Sequence, residues 1–243
     1  MRSQRQLAAR TEPFDSYWQA PEDIEKGYDS FKQYYRSNFL KHLPKETDAR
    51  VLVVSCGPGY FVQLLNDEGF TNVLGIDSDA EKVRHAERRQ LECKTAEAFP
   101  FLEARQDEFD MIVCEQELNH LTKDEMVEFL HLCRSSLRSG GRLIVYGLNG
   151  ANPITGAEAL SQNFDHFNTF TEYSLRQVLE YCGFQRVEVL PLKLYVFYKN
   201  PLNYVGLAVT AVLDLCFTVF FKLYGKSNRI FTKKIAAVCQ RPV

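Results

Sequence analysis

Residues 51–61 read VLVVSCGPGYF and residues 73–79 read VLGIDSD, and these two stretches decide the fold. The apolar, β-branched run that opens the first stretch is typical of a buried parallel strand. It ends in a glycine-bearing turn, and the residues from 60 to 65 are compatible with a helix. A second short strand then ends in Asp77. Strand, glycine turn, helix, strand and acid, in this order, predict a nucleotide-binding βαβ unit.

The spacing of the glycines narrows the ligand that this unit would bind. A dinucleotide site needs G-x-G-x-x-G, but Gly57 and Gly59 are followed by no third glycine. The chain also lacks G-x-x-x-x-G-K-S/T, which argues against a P-loop. A turn with two glycines suits a nucleoside without a pyrophosphate, because glycine lets the backbone approach a ligand closely. Asp77 is expected to accept hydrogen bonds from the ribose hydroxyls.

The turn and the acid resemble the first two motifs of class I S-adenosylmethionine-dependent methyltransferases. The first motif of that family is usually acid-x-Gly-x-Gly-x-Gly. The corresponding positions in this chain are Val53, Ser55, Gly57 and Gly59, so the acid and the first glycine are replaced. Asp77 matches the acid that binds the ribose in the family.

Three later segments resemble the family in the same order. FDMIVCEQELNHL (109–121) is similar to the fourth-strand motif. SSLRSGGRLIVYGLNG (135–150) is similar to the turn and fifth strand, with Ser139 in place of the usual proline. AEAFPF (96–101) is similar to the segment that packs on adenine, and Thr95 stands where many members carry an aspartate.

The family resemblance covers roughly residues 50–190 and implies an enzyme that transfers a methyl group. It implies S-adenosyl-L-methionine as the cofactor. The cofactor-binding residues that it implies are Ser55, Cys56, Gly57, Gly59, Asp77, Ser78, Thr95, Ala96 and Glu115.

A narrower resemblance concerns the acceptor. NGANPITG (149–156) and the segment 164–184 are similar to a subgroup of bacterial methyltransferases associated with surface-polysaccharide and O-antigen gene clusters, and hence with lipopolysaccharide biosynthesis. This resemblance implies O-methylation of a sugar hydroxyl on a surface glycan or its lipid-linked precursor. Two alternatives stay open: a methyltransferase for a quinone or another lipid-like small molecule, and an inactive binding protein that kept the fold.

The order of the patterns predicts an α/β fold. Strand and helix patterns alternate, which indicates a Rossmann-like, seven-stranded, mostly parallel sheet with helices on both faces and an antiparallel last strand. We expect a helical cap or lid over 1–49 and a methyltransferase domain over 50–243 with an apolar insertion at 200–224. The strands are predicted near 51–55, 73–77, 109–114, 141–147, 185–190 and 230–239, and the helices near 59–68, 79–89, 123–137 and 171–182, with Thr122 or Thr171 as a helix cap.

Composition excludes several classes of protein. The formal net charge is −2, so no basic excess favours nucleic acid as a partner. The seven cysteines are scattered without a C-x-x-C pair, which is typical of reduced core thiols. The first residues are charged and lack the apolar region of a signal peptide. We expect a cytoplasmic protein, or one bound peripherally at the inner face of the cytoplasmic membrane.

Two histidines are candidates for the general base that helps a hydroxyl to attack a methyl group. His120 follows the fourth strand and His166 follows the fifth. The carboxyl ends of strands are where open α/β sheets bind ligands, so the two are expected to form a pair. Glu115, Glu117 and Asp165 are nearby acids whose spacing does not match a metal site, and we predict no metal.

Aromatic residues mark the first 49 residues. Tyr28, Phe31, Tyr35 and Phe39 fall on one helical face, which predicts a helix packed on the sheet. The aromatics that come before this face are expected to form a lid over cofactor or substrate, and Tyr146 of the fifth strand is expected to contact the substrate. The lid residues that we name are Tyr17 and Trp18.

The insertion carries only one charge, Asp214, between Leu202 and Phe221. Its apolar residues go all the way round a helix, and its length approaches a membrane span. If residues 230–239 return to the same sheet, a single crossing is excluded. We therefore expect contact with an anionic membrane surface, with a homodimer through 202–221 or a segment that covers the core as the alternatives. The flanking basic residues are Lys199, Lys222, Lys226, Arg229, Lys233 and Lys234.

Overall fold

A computed structural model describes residues 21–115, 117–161, 164, 166–193 and 202–243 of the chain. The lid residues Tyr17 and Trp18, as well as Asp165 and Lys199, lie outside these residues. The described residues form one seven-stranded sheet with helices on both faces. The expected fold class is therefore confirmed.

The sheet has the strand order β3-β2-β1-β4-β5-β7-β6. Strands β1 to β5 are parallel, and β7 is antiparallel to both of its neighbours, β5 and β6. The strands are β1 Arg50–Val54, β2 Asn72–Asp77, β3 Cys93–Thr95, β4 Phe109–Cys114, β5 Leu137–Leu148, β6 Gln185–Leu192 and β7 Lys234–Gln240.

Helices connect the strands and cover both faces. Thr122 and Thr171 both cap the helices that follow them, each through a reciprocal capping box. The helices are α1 Pro21–Phe39, α2 Tyr60–Asp67, α3 Ala80–Arg88, α4 Ala98–Glu103, α5 Glu117–His120, α6 Lys123–Ser136, α7 Glu158–Ser161, α8 Glu172–Tyr181 and α9 Leu202–Leu223.

Strand β1 shows why its sequence is continuously apolar. Val51 and Val53 pack into the core on the side of α1 and α2, whereas Leu52 and Val54 pack into the core on the side of α4, α6 and α8. Alternate side chains of a strand point to opposite faces, so a strand covered on both faces buries successive residues, as it does from Val51 to Val54.

Three strand boundaries differ from the sequence-based prediction. Strand β3, Cys93–Thr95, was not predicted because three residues are too short to show a period. Strand β5 begins at Leu137, whereas the prediction began near residue 141. The residues predicted as a turn belong to the strand, because the pairing of β5 with β4 shifts register between Phe109 and Met111. Strand β7 begins at Lys234 instead of residue 230, because the residues before it bind the loop that follows β5.

Candidate active site

The turn after β1 is shaped by backbone hydrogen bonds to β2. The amide of Cys56 donates to the carbonyl of Ile76 at 3.0 Å, and the amide of Gly57 donates to Oδ2 of Asp77 at 2.8 Å. Gly59 then adopts a φ of 85° as the N-cap residue that precedes helix α2. These bonds hold the turn against the end of β2, so the glycines and the acid singled out in the sequence share one surface.

Two residues of the turn leave its outer side open. Ser55 has a φ of 56°, so its backbone adopts the left-handed conformation. That conformation costs a residue with a side chain about 1–2 kcal/mol. Gly57 has a φ of 53°, and a Cβ atom placed on it would meet nothing within 4 Å among the described residues. The turn therefore presents backbone to open space.

Asp77 sits at the centre of this surface. Its Oδ1 accepts from the amide of Asp79 at 2.9 Å, and its carbonyl accepts from the amide of Ala96 at 2.9 Å. Thr95 is its register partner on β3. Both carboxylate oxygens are thus fixed by backbone donors but keep acceptor capacity, since each oxygen has two lone pairs. Ser78 and Thr95 are exposed beside Asp77.

Cys56 contributes differently from its neighbours. Cys56 is only 2% exposed. Its sulfur and that of Cys93 pack so closely on Gly75 that a Cβ atom added to this glycine would lie 2.8 Å from each sulfur. The adjacent Cys93 thiol and burial raise the pKa of the Cys56 thiol well above its usual range. Cys56 therefore stays a neutral core thiol and offers a ligand only backbone atoms.

Glu115 is the most unusual group at this edge. Its amide donates to the carbonyl of Val54 at 3.1 Å, which places it directly beside the turn. Its Oε2 accepts hydrogen bonds from the hydroxyls of Tyr35 and Tyr146. Its Oε1 is buried and receives no hydrogen bond from any described residue. Burial raises the pKa of Glu115 to about 7, and the two tyrosine hydroxyls oppose this rise.

The two tyrosines that bind Glu115 lie beneath the surface. Tyr146 was predicted to contact substrate, but its ring is buried against Phe39 and its hydroxyl donates to Glu115 at 2.8 Å. Among the described residues, the hydroxyl of Tyr146 therefore reaches Glu115 beneath the surface. Tyr35 was expected only to pack α1 on the sheet, and no signal in the sequence linked it to a residue 80 positions away.

His120 and His166 come together as expected. Their ring centroids are 4.9 Å apart with an interplanar angle of 62°. Nδ1 of His166 lies 2.7 Å from the carbonyl oxygen of Ala159. A carbonyl only accepts, so Nδ1 of His166 is the donor in this contact.

Two asparagines lock the segments that carry these histidines. The side chain of Asn119 donates to the carbonyl of Asn168 at 2.7 Å and accepts from the amide of Leu148 at 3.2 Å. In return, the side chain of Asn168 donates to the carbonyl of Leu121. Asn119 is buried, so its lost hydration is replaced by these bonds. The sequence showed Asn119 only as part of a motif and did not mark Asn168.

Comparison with known proteins identifies the family to which this site belongs. A family model described as a methyltransferase domain matches residues 28–189, which is more than half of the chain. No curated protein matches the chain.

Solved structures share the fold at low sequence identity. A SAM-dependent methyltransferase from Archaeoglobus fulgidus is 18% identical, with a TM-score of 0.68 over 88% of this chain and 94% of that one. Phosphoethanolamine N-methyltransferase 2 from Haemonchus contortus, in complex with S-adenosyl-L-methionine, is 15% identical with a TM-score of 0.60, over 96% of this chain and 61% of that one. An S-adenosylmethionine-dependent methyltransferase from Mesorhizobium loti is 16% identical with a TM-score of 0.54, over 83% of this chain and 95% of that one.

Proposed function

The chain belongs to the family of methyltransferase domains, and on this premise we propose that it transfers the methyl group of S-adenosylmethionine to a hydroxyl of a bacterial surface glycan or of its lipid-linked precursor. The observation that carries the proposal is the arrangement at one edge of the sheet. An open glycine turn, the Asp77 carboxylate, the buried Glu115 carboxylate and a histidine pair follow the carboxyl ends of β1, β2, β4 and β5.

The described residues fit the nucleoside part of this cofactor. The open space beside Gly57 allows a ligand to approach the backbone, and Asp77 supplies fixed acceptors for ribose hydroxyls. Ala96, whose amide is bonded to Asp77, is half-buried and offers an apolar contact for the adenine ring. Ser55, Ser78 and Thr95 lie at the rim and complete the proposed site.

Glu115 fits the charged end of the cofactor. The family's acid is replaced by Val53, whose side chain is fully buried in the core, so another acid must bind the methionyl ammonium group. The Oε1 of Glu115 is a buried acceptor next to the turn, and a buried acceptor is costly unless a donor reaches it. An ammonium group supplies that donor together with the opposite charge.

The remaining residues suit attack by a hydroxyl. The cofactor supplies a methyl group that its sulfonium charge activates, so the protein mainly aligns the acceptor and excludes water. Nε2 of His166 is set to accept the hydroxyl proton, because Nδ1 is already bound to the carbonyl of Ala159. His120 contacts that ring edge-on, and we assign it the role of supporting the orientation of His166.

Asp77→Ala tests the nucleoside site. The ribose hydroxyls would lose a charge-assisted partner worth about 1.5–3 kcal/mol, so we expect affinity for S-adenosylhomocysteine to fall by roughly 10- to 150-fold. Isothermal titration calorimetry measures this change. Asp67→Ala is the matched control, since Asp67 ends α2 and pairs with Lys32 on the surface. Unchanged affinity in Asp77→Ala would refute the assignment of this acid to the ribose.

Glu115→Gln tests the ammonium site separately. We expect this variant to lose about tenfold or more in affinity for S-adenosylhomocysteine, through loss of a charge-assisted hydrogen bond, but to bind 5′-methylthioadenosine like the wild type. The second ligand has the nucleoside without the amino-acid end. Because the pKa of Glu115 is raised to about 7, its ionised form prevails only above that pH. Wild-type affinity for S-adenosylhomocysteine should therefore rise between pH 6 and 8 by about tenfold per unit at most, and that of the variant should not.

Equal losses for both ligands would show that Glu115→Gln disturbs the whole pocket instead of one contact. If Glu115→Gln bound both ligands with wild-type affinity, Glu115 would not contact the cofactor. Tyr146→Phe keeps the ring and removes one hydrogen bond to the carboxylate. A comparison of the affinity of Tyr146→Phe and of the wild type for S-adenosylhomocysteine separates the effect of this hydrogen bond on Glu115 from the packing of the ring.

A lipid-like acceptor such as a quinone is the second candidate. Helix α9 favours it, since the helix is apolar and none of its described residues is buried. Methyl transfer from labelled cofactor into membrane extracts, followed by separation of glycolipid from quinone fractions, distinguishes the two acceptors. Label in the glycolipid fraction supports the first candidate, and label in the quinone fraction supports the second.

A further inference from the structure

Helix α9 has two different faces, although its sequence is apolar all round. One face is half-covered, and it includes Leu213, Asp214, Phe217 and Phe221. The opposite face is exposed along the whole helix and carries no charged side chain before Lys222. Its described residues are Leu202, Tyr204, Val205, Ala208, Val209, Ala211, Val212, Leu215, Cys216, Val219 and Phe220. An apolar strip of this length is not left in water without a partner.

The half-covered face is attached to the body of the protein at its carboxyl end. The rings of Phe217 and Phe221 lie 5.9 Å and 4.6 Å from that of Phe231, which is buried. Asp214 lies on this same face, and burial raises the pKa of its carboxyl. The one acid of the helix is thus turned away from the exposed strip and is easier to neutralise than a surface aspartate.

The helix leaves the sheet at the edge that holds the candidate active site. Leu148 at the end of β5 and Leu192 at the end of β6 both pair with Lys234 at the start of β7. The side chain of Asn149, the residue after β5, donates to the carbonyls of Ile230 and Thr232. The connection that contains α9 therefore starts and ends beside the carboxyl ends of the parallel strands.

Apolar and basic groups continue around the attached end. An apolar cavity of about 380 Å³ lies between α9 and Pro153 of the loop after β5, with Lys226 at its rim. Two apolar side chains between β5 and α8 also face solvent, since Ile154 is 63% exposed and Phe164 is 79% exposed. Exposed basic side chains surround this end, namely Lys222, Lys226, Arg229 and Lys233.

We propose that α9 lies in the interface of an anionic bilayer, with its exposed strip among the acyl chains, and so holds the active edge of the sheet at the membrane surface. Basic residues beside an apolar strip match lipid headgroups above acyl chains. The chain's own surface at this end is basic, so it matches anionic lipid better than it matches a second copy of itself. If the proposed methyl transfer is correct, its acceptor is carried by the membrane.

Flotation of the full-length protein with vesicles tests this proposal without any need for activity. We expect it to float with vesicles of phosphatidylcholine and phosphatidylglycerol, and much less with phosphatidylcholine alone. Leu215→Glu places a charge in the strip and should abolish flotation. Lys226→Glu should weaken binding about fivefold or more, since each basic residue near an anionic surface contributes about that factor. Lys45→Glu, in the loop before β1, is the matched control.

Three results would overturn the proposal. The first is a protein that stays soluble with both kinds of vesicle and sediments as a dimer that Leu215→Glu dissociates. The second is flotation that does not depend on anionic lipid or on Leu215→Glu. The third is resistance to alkaline carbonate extraction, which would indicate a bilayer crossing. Calorimetry with S-adenosylhomocysteine on Leu215→Glu keeps the two proposals apart, because the cofactor site should be unaffected whether or not the protein binds membranes.

Discussion

Replacing His166 by alanine is expected to slow methyl transfer by about 10²–10⁴-fold while affinity for S-adenosylhomocysteine stays nearly unchanged. This expectation follows from the proposed role of His166 as the general base, whose Nδ1 is held by the carbonyl of Ala159. His120→Ala should cost less, since His120 acts on the orientation of the neighbouring ring. Single-turnover rates with labelled cofactor and membrane extract measure both variants.

His131→Ala is the matched control for the histidine variants, since His131 is exposed on α6. It should retain the wild-type rate. Wild-type turnover in both His120→Ala and His166→Ala would mean that positioning alone drives the reaction.

Gly59→Val is expected to lower the free energy of unfolding by about 2–5 kcal/mol. A side chain at its φ of 85° costs about 1–2 kcal/mol. A Cβ there would also lie 2.9 Å from Cδ1 of Leu91 and 3.1 Å from the Cβ of Ala86, and overpacking adds about 1–3 kcal/mol. Urea denaturation followed by circular dichroism measures the change.

Gly57→Val is the matched comparison, with a left-handed φ of 53° but no neighbour within 4 Å of a Cβ. It should cost only the conformational part, about 1–2 kcal/mol, and yet weaken S-adenosylhomocysteine binding. If Gly57→Val destabilised the protein as much as Gly59→Val, the space beside the turn would not be open. If it left binding intact, the cofactor would lie elsewhere.

The fold was largely predictable because its main signals are local. Strand β1, the glycine turn and Asp77 lie within 28 consecutive residues, from Arg50 to Asp77, and each has a distinct residue pattern. The capping threonines are local signals too. Strand β3 was missed because it is stabilised by its pairing with β2, and three residues have no pattern of their own.

The candidate site was predictable in position but not in detail. His120 and His166 were paired correctly because the carboxyl ends of parallel strands meet at one edge. The link from Tyr35 to Glu115 depends on how α1 packs over the sheet, which is a tertiary contact without a sequence signature. Tyr146 was predicted to contact the substrate, and its hydrogen bond to Glu115 could not be foreseen because that contact joins β5 to the residue that follows β4.

The position of β7 has a consequence for how the protein is made. This strand comes last in the chain, yet it pairs with β5 on one side and β6 on the other. During synthesis from the amino end, β5 keeps an unpaired edge until the last strand emerges, and α9 emerges before it. We therefore expect the sheet to be completed only after α9 has been made, and the edge of β5 to stay open to wrong pairing until β7 reaches it.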